Sequence, residues 1–226
     1  MDRLFITTKD RPTELAILCK SLLHSDMRKF IKEVIFLDDN SEEIMEIQRI
    51  YTAFMYTLLP QGIKCRLLEA KDGREGINAS WDRIKHYPSN HIWGLNGDMM
   101  VFENYFERCL SILTFGIEKY GMGSSLLVSG FNTPMHPVEL THYEQKCVKA
   151  PSVGGCAFVI RHMDVVLFLE ALGKPTMNRG FDLHLGEVFD CILTANPSVS
   201  QHIGILTGLN QLQLSGFPGA FARVRG

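Results

Sequence analysis

Residues 91–101 of this chain read HIWGLNGDMMV, and this stretch decides the fold class. Residues 91–95 form an apolar run of the length of a buried strand, which ends abruptly at Asn96, Gly97 and Asp98. Open α/β sheets bind their ligands at the carboxyl ends of the strands. A carboxylate delivered there can give a hard divalent cation an oxygen ligand, while a glycine lets the backbone come close. The alternative is a polar turn after a strand, because Asn-Gly is also a common hairpin turn.

On either side of this stretch, short apolar runs alternate with helical periodicity. The pattern predicts strands at residues 4–8, 34–37, 65–68, 91–95, 125–129 and 154–160, and helices at residues 12–24, 42–58, 75–85, 103–120, 163–172 and 182–189. Links of a few residues between such elements are typical of βαβ units. The sequence therefore predicts an α/β fold with a mostly parallel central sheet, and a Pro- and His-rich loop at about residues 133–152.

Composition limits the class of protein. With 226 residues and 46% hydrophobic content, the chain can bury one substantial core, and nothing in its length demands two domains. The 23 basic and 25 acidic side chains nearly cancel, and no basic run marks a nucleic-acid patch. Six cysteines never form CxxC, which disfavours structural zinc and favours reduced thiols in the cytoplasm. No apolar run approaches the roughly 18 residues that span a bilayer, and the opening segment is no signal peptide, so we expect a soluble protein without a membrane anchor.

Three further polar turns follow predicted strands. Arg11 follows the first strand, Asp39 the second and Arg74 the third. In a parallel sheet these ends lie along one edge with Asp98, so a nucleotide could lie across them. Asp39 would accept hydrogen bonds from a base or sugar hydroxyl, while the arginines would meet phosphate oxygens with their forked donors. The alternative for Asp38 and Asp39 is capping of the following helix.

At these strand ends the chain resembles a known family, the nucleotide-sugar glycosyltransferases with the GT-A fold, and most closely their family 2 inverting group. Four motifs carry the likeness in the expected order: TKDRPTEL from Thr8 for T-x-N-R-P-x-x-L, DDNS from Asp38 for D-D-x-S, Arg74 and Asn78 for an R/N-containing helix, and NGD from Asn96 for the D-x-D metal motif. The first aspartate of D-x-D is therefore replaced by asparagine. The resemblance implies Asp98 as the metal ligand and Asn96 as a contact of the donor.

Further motifs carry the likeness into the second half of the chain. The segment GGCAFVIR, which begins at Gly154 and Gly155, resembles the family's small-residue acceptor strand. Asp182 stands where the family's E-D pair holds the catalytic base, although Phe181 replaces the glutamate. His202 lies in a late segment that resembles the one in which several such enzymes place a histidine on the metal.

The resemblance covers residues 4–205 and implies a single GT-A domain over residues 1–208. A Rossmann-like nucleotide-binding half would occupy about residues 1–100, and an acceptor-binding half about residues 101–208. Residues 209–226 would form a C-terminal tail.

The implied activity is metal-dependent transfer of a sugar from a nucleoside-diphosphate sugar, a UDP-sugar in particular, to a hydroxyl of a glycan, protein or other acceptor, with inversion. The departing diphosphate develops negative charge that a divalent cation neutralises as a Lewis acid. Oxygen ligands together with one imidazole favour Mn²⁺, with Mg²⁺ as the second choice. The implied donor contacts are Thr8, Arg11, Asp39, Arg74, Asn78, Asn96 and Asp98, the metal ligands Asp98 and His202, the acceptor contacts Gly154 and Gly155, and the catalytic base Asp182.

Two of these residues have plainer alternatives. His202 can be an ordinary structural histidine beside a loop. Asp182 can be the N-cap of the helix that follows it, in which case His184 or Glu187, one turn or less away, could act as the base.

Three other functions compete with glycosyl transfer. A sugar-1-phosphate nucleotidyltransferase would want a glycine-rich basic loop after the first strand, and residues 7–12 contain no glycine. A non-catalytic nucleotide-sugar-binding module, with a decayed site, is suggested by Asn96 and Phe181 in place of acidic residues. A glycoside hydrolase would need two opposed carboxylates, and the sequence offers one convincing candidate.

Overall fold

The computed structural model describes residues 1–70, 77–132, 142–143, 147–174 and 181–204, and the side chains of all of these except residues 77, 78, 142, 143 and 181. The strands are β1 Asp2–Thr8, β2 Ile31–Asp38, β3 Lys64–Glu69, β4 His91–Asn96, β5 Met99–Val101, β6 Leu126–Ser129, β7 His142–Tyr143, β8 Cys147–Ala150, β9 Ala157–Arg161, β10 Cys191–Ala195 and β11 Ser200–His202. The α-helices are α1 Pro12–His24, α2 Met27–Phe30, α3 Ile44–Leu58, α4 Ile77–Asp82, α5 Tyr105–Tyr120, α6 Val165–Gly173 and α7 Phe181–Val188. The predicted donor residue Arg74 and the predicted tail lie outside the described residues.

Nine of the strands form one twisted sheet, in the order β3-β2-β1-β4-β9-β6-β10-β8-β7. The first four strands in this order are parallel, β6 and β10 run in the same direction, and β9 and β8 run in the opposite one. The mostly parallel central sheet predicted from the sequence is therefore confirmed. Strands of both predicted halves belong to this one sheet, and β5 pairs with β11 in a separate two-stranded sheet.

Helices cover both faces of the large sheet. Successive residues of its central strands point to opposite sides, so they contribute to two separate cores. Leu4 and Ile6 of β1 belong to a core that also contains buried residues of α1, α3 and α5. Phe5, between them, belongs to a second core with buried residues of α4, α6 and α7. Trp93 lies in the first core and Trp81 in the second, and both are fully buried.

The first two long helices show how the sequence sets their ends. α1 has Pro12 in its first turn and buries leucines at helical spacing, and it spans the predicted residues. α3 begins at Ile44, two residues later than predicted. The carboxylate Oδ1 of Asp10 accepts the backbone N–H groups of Glu42 and Glu43 at 2.6 and 3.2 Å, so the turn before α3 is held by the loop after β1. Asp10 itself has φ 46°, a left-handed conformation that aspartate tolerates better than most residues.

Five strands were not predicted. β7 and β8 lie inside the segment predicted as a loop at residues 133–152, and that prediction is wrong for residues 142–143 and 147–150. β10 follows α7 directly, while β5 and β11 are only three residues long. Runs this short carry no readable period, so their strand character depends on a partner far away in the sequence.

Of the helices in the described part of the chain, none is both long enough and apolar enough to cross a lipid bilayer.

Candidate functional site

The carboxyl ends of β2, β1 and β4 meet at one edge of the sheet. In the strand register Thr8 pairs with Asp38, and Thr7 pairs with Asn96, so the turns after these strands begin at the same level. A cavity of about 250 Å³ opens there. It is lined by Thr7, Thr8, Lys9, Arg11, Asp39, Ser80, Asn96, Gly97 and Asp98.

Asp98 contacts two other residues that the sequence predicted for the site. Its Oδ2 pairs with Nη1 of Arg11 and lies 3.1 Å from Nε2 of His202. Its other oxygen, Oδ1, is buried and has no hydrogen-bond partner. The side chain of Asp98 is only 5% exposed, whereas that of Arg11 is 32% exposed. The structure therefore brings together three of the predicted site residues from distant parts of the sequence.

The pairing of β5 with β11 in the two-stranded sheet brings His202 close to Asp98. In the antiparallel register of β5 and β11, Met99 pairs with His202, and the N–H of Ile203 donates to the carbonyl of Asp98 at 2.8 Å. The turn before β5 is equally tight, because the N–H of Gly97 donates to the carbonyl of Thr7 at 2.7 Å. A Cβ atom at residue 97 would lie 2.9 Å from that carbonyl oxygen, so only glycine fits.

The imidazole of His202 is neutral near pH 7. Burial, assisted by the positive charge of Arg11, lowers the pKa of His202 to about 4. The 3.1 Å contact of Nε2 with Asp98 is therefore a contact of a neutral ring and not a salt bridge. A neutral imidazole also has a lone pair available for a cation.

Asp98 and His202 suit a divalent cation. One oxygen of Asp98 has no partner, and the nitrogen of His202 faces the other oxygen at a distance usual for two ligands of one ion. Among the described residues there is no group of three His, Cys, Asp or Glu side chains that could hold a metal. The remaining ligands would therefore be oxygens of a bound phosphate and water, which Mn²⁺ and Mg²⁺ accept readily.

The two aspartates after β2 have different environments. Asp38 accepts the N–H of Ser41 at 3.1 Å and its hydroxyl at 2.6 Å, so this carboxylate shapes the turn. Asp39 lines the cavity, with its Oδ2 3.7 Å from Nζ of Lys9. Asn96 also faces the cavity, and its amide oxygen accepts the hydroxyl of Thr7 at 2.9 Å. The hydrogen bonds to Ser41 give Asp38 the turn-forming role that the sequence left open for it.

Asp182 lies in the first turn of α7, which begins one residue earlier than predicted, so this aspartate is not the N-cap. Burial, and secondly the Asp182 carboxylate, raise the pKa of the Cys156 thiol to about 12. The carbonyl of Cys156 accepts the N–H of Asn96 at 2.8 Å. Asp182 therefore lies near the turn after β4, on the side of β9, and Gly154 and Gly155 directly precede Cys156.

The neighbouring candidate Glu187 is engaged elsewhere. Its Oε2 lies 3.0 Å from Nζ of Lys174 and 3.2 Å from Nδ1 of His184, and its side chain is 51% exposed.

Some site residues were missed by the sequence prediction. Lys9 and Thr7 line the cavity, as does Ser80 of α4, whose fully buried hydroxyl has no partner. Lys9 lies inside the motif TKDRPTEL, so the sequence could have placed it at the site. A single serine in a helix belongs to no motif, so Ser80 could not be predicted. Asn78 belongs to α4, but its side chain lies outside the described residues.

The amino-acid sequence matches no protein-family model and no curated protein. Many solved structures match this chain, and two of them have the following similarity. The crystal structure of GalNAc-T7 with UDP, GalNAc and Mn²⁺ superposes with a TM-score of 0.66 at 15% identity, over 92% of this chain and 44% of that one. The crystal structure of S. aureus TarS gives a TM-score of 0.49 at 16% identity, over 86% of this chain and 35% of that one.

The likeness to GalNAc-T7 identifies the class of fold. The described strands and helices have the GT-A fold of glycosyltransferases, as the sequence predicted. This chain spans less than half the length of either neighbour.

Proposed function

We propose that this chain is a glycosyltransferase of the family 2 type, which moves a sugar from a UDP-sugar to a hydroxyl of a glycan, protein or other acceptor. One observation carries the proposal: Arg11, Asp98 and His202 converge beside a cavity that Asp39 also lines, at the strand edge where α/β folds bind nucleotides. The UDP and Mn²⁺ in the GalNAc-T7 crystal structure support the choice of ligands.

The charged side chains along the cavity favour one orientation of the bound nucleotide sugar. The nucleoside lies toward Asp39, whose carboxylate accepts hydrogen bonds from base or ribose, with the hydroxyls of Thr8 and Ser80 beside it. The diphosphate lies toward Arg11 and Asp98, where a guanidinium fork binds phosphate oxygens. Asn96 contacts the donor between these ends, and Arg74 and Asn78 add donor contacts from the segment before β4.

Asp98 and His202 hold the divalent cation, Mn²⁺ or Mg²⁺. When bound, the cation offsets the negative charge of the departing diphosphate. The proximity of Arg11 adds a second positive charge, and the burial of Asp98 keeps water from screening these interactions.

The acceptor side lies across β4, toward β9. Gly154 and Gly155 leave room for the acceptor, and Asp182 takes the proton of the attacking hydroxyl. Attack from the face opposite the diphosphate inverts the configuration of the anomeric carbon. The anomeric form of the product, read by NMR coupling constants, tests the inversion.

Replacing Asp98 tests the donor site as a whole. Asp98→Asn removes a charge that the cation needs, so the affinity for UDP in the presence of Mn²⁺ should fall by about tenfold or more, as ITC would measure. Metal-dependent release of UDP from UDP-sugars should fall with it.

The matched control is Asp164→Asn. Asp164 is also a buried, ion-paired aspartate, 2.8 Å from Nε of Arg161, and lies away from the cavity. It should lose stability without losing affinity for UDP. Equal UDP affinity in the Asp98→Asn variant and the wild type would contradict the proposed donor site.

A second candidate is a non-catalytic module that binds nucleotide sugars. Asn96 favours it, because the amide oxygen already accepts the hydroxyl of Thr7 and supplies no negative charge. Such a module would bind UDP with Mn²⁺ and release no UDP from any UDP-sugar, with or without acceptors. A nucleotidyltransferase would instead form a nucleotide sugar and pyrophosphate from a sugar 1-phosphate.

The proposed compartment is the cytoplasm. All six cysteines are free thiols, five of them buried, which suits a reducing environment.

A further inference from the structure

Arg11 competes with a cation for the same carboxylate oxygen. Oδ2 of Asp98 faces both the Arg11 guanidinium and Nε2 of His202. A carboxylate oxygen has two lone pairs, so these two contacts use the accepting capacity of Oδ2. A divalent ion held between Asp98 and His202 needs this oxygen, and its charge also repels the guanidinium. Arg11 must therefore leave Oδ2 when an ion binds between Asp98 and His202.

The position of Arg11 allows this movement. The residue directly precedes α1 and caps it through its backbone, with the N–H of Leu15 donating to its carbonyl at 3.0 Å. Its side chain is 32% exposed and lines the cavity, so the guanidinium can rotate while the helix stays in place.

Among the residues that the structure describes, the cavity lining offers Arg11 one other carboxylate. This is Asp39, which lies 3.7 Å from Nζ of Lys9. A diphosphate bound in the cavity would give the guanidinium several oxygens in the forked geometry that it prefers.

We infer that Arg11 is an internal cation that occupies Asp98 until a nucleoside diphosphate draws it away, so that nucleotide and divalent cation bind cooperatively. The inference rests on the proposed function for its nucleotide. A cation alone must displace Arg11 while the described part of the lining offers the guanidinium only Asp39, which already faces Lys9, so the cation binds weakly. A nucleotide alone leaves Asp98 without a positive partner. Together they satisfy every charge, and each strengthens the other by the same factor.

The test measures Mn²⁺ binding by EPR of the free ion, with and without UDP. In the wild type, UDP should tighten Mn²⁺ binding by about tenfold or more, within the usual range for coupled sites. Arg11→Gln should bind Mn²⁺ alone more tightly than the wild type and lose most of the gain from UDP. Arg11→Lys, which keeps the positive charge, should stay close to the wild type without UDP.

Lys9→Gln is the matched control. It removes one positive charge from the same cavity, but Lys9 faces Asp39 rather than Asp98. Its affinity for Mn²⁺ without UDP should match the wild type. Equal tightening in the Lys9→Gln and Arg11→Gln variants would assign the effect to overall charge and overturn the inference, as would an unchanged affinity in Arg11→Gln.

The measurements of Mn²⁺ binding without UDP and with UDP separate this inference from the proposed function. If Arg11→Gln tightens Mn²⁺ binding but UDP changes nothing in any variant, Arg11 blocks the cation site and the proposed nucleotide is wrong. If no variant binds Mn²⁺, both the inference and the proposed cation site fail.

Discussion

Two hydroxyls in the cavity are held without partners. Thr8 Oγ1 and Ser80 Oγ are buried and accept or donate no hydrogen bond. A buried hydroxyl without a partner costs free energy, and this cost is recovered when a ligand supplies the missing bond. Unpartnered hydroxyls that line a cavity, as these two do, therefore indicate where a ligand is expected.

Ser80→Ala should separate stability from binding. The ligand-free variant should be as stable as the wild type or more stable by up to about 1 kcal/mol, because an unsatisfied group is removed. Its affinity for UDP should fall about fivefold, the worth of one hydrogen bond. Thermal unfolding and ITC measure the two effects.

Thr194→Val is the control for this prediction. Its Oγ1 is also buried without a partner, but Thr194 lies in β10 and does not line the cavity. Its stability should change in the same direction and its affinity for UDP not at all. A Ser80→Ala variant that is less stable and still binds UDP normally would show a structural role for the hydroxyl.

Single residues differ in how far their positions could be predicted. Asp98 and Asp39 end apolar runs, so the sequence alone placed them at the sheet edge, and the structure has both in the cavity lining. Nothing local distinguished Asp39 from Asp38, because the choice depends on the hydrogen bonds of Ser41. Ser80 could not be found, since its importance comes only from what packs around it.

At the scale of elements, the turn between β4 and β5 fixes the distance between Asp98 and β1. Gly97→Ala would place its Cβ atom 2.9 Å from the carbonyl oxygen of Thr7, which is backbone and cannot yield easily. We expect a loss of stability of about 1 to 3 kcal/mol, as for other overpacked sites. The displaced Asp98 should also bind Mn²⁺ and UDP more weakly, which urea unfolding and ITC would measure together.

Gly123→Ala is the matched control for the turn. No atom lies within 4 Å of a Cβ built at residue 123. This variant should keep both stability and ligand affinity. If the Gly97→Ala variant behaves like it, the close approach of the turn to β1 does not position Asp98.

The elements that the sequence predicted are those with a period of their own. Runs such as that of β4 and the apolar spacing of α1 are readable locally. β5 and β11 are not readable in this way, because each forms a strand by pairing with the other, which is distant in the sequence. The reversed direction of β9 was equally hidden, since strand direction depends on the path of the chain rather than on local sequence.

At the scale of the whole molecule, an ion cluster ties three strands together at the edge opposite the cavity. Glu33 of β2, whose side chain is 1% exposed, accepts Nε of Arg3 from β1 and Nε of Arg66 from β3, each at 2.6 Å. Burial alone would raise the pKa of Glu33, but the hydrogen bonds from the two arginines outweigh it and lower the pKa. The charged form therefore stabilises the fold.

Glu33→Gln should lower the free energy of unfolding at pH 7 by about 2 kcal/mol, because two hydrogen bonds from arginines lose their charged acceptor, while Arg66, 53% exposed, regains contact with water. Because the pKa of Glu33 in the folded protein lies below the usual glutamate value of 4.5, the contribution of Glu33 is full above that pH and disappears as the pH falls through the folded pKa. The difference between variant and wild type in urea unfolding should therefore shrink in acid.

Glu46→Gln should have little effect at any pH. Glu46 also pairs with an arginine at 2.6 Å, but both side chains of this pair are more than half exposed. A Glu33→Gln variant as stable as Glu46→Gln at pH 7 would show that the three strands do not depend on this cluster.

The pairing of β5 with β11 makes the proposed site a late product of biosynthesis. Asp98 leaves the ribosome many residues before His202, so the nascent chain carries half of a cation site while the rest is still being translated. Only when the eleventh strand docks are the two ligands in reach of each other. The proposed cation site can therefore form only after residue 202 has been synthesised, and a chain that ended before β11 would lack one of its two proposed protein ligands.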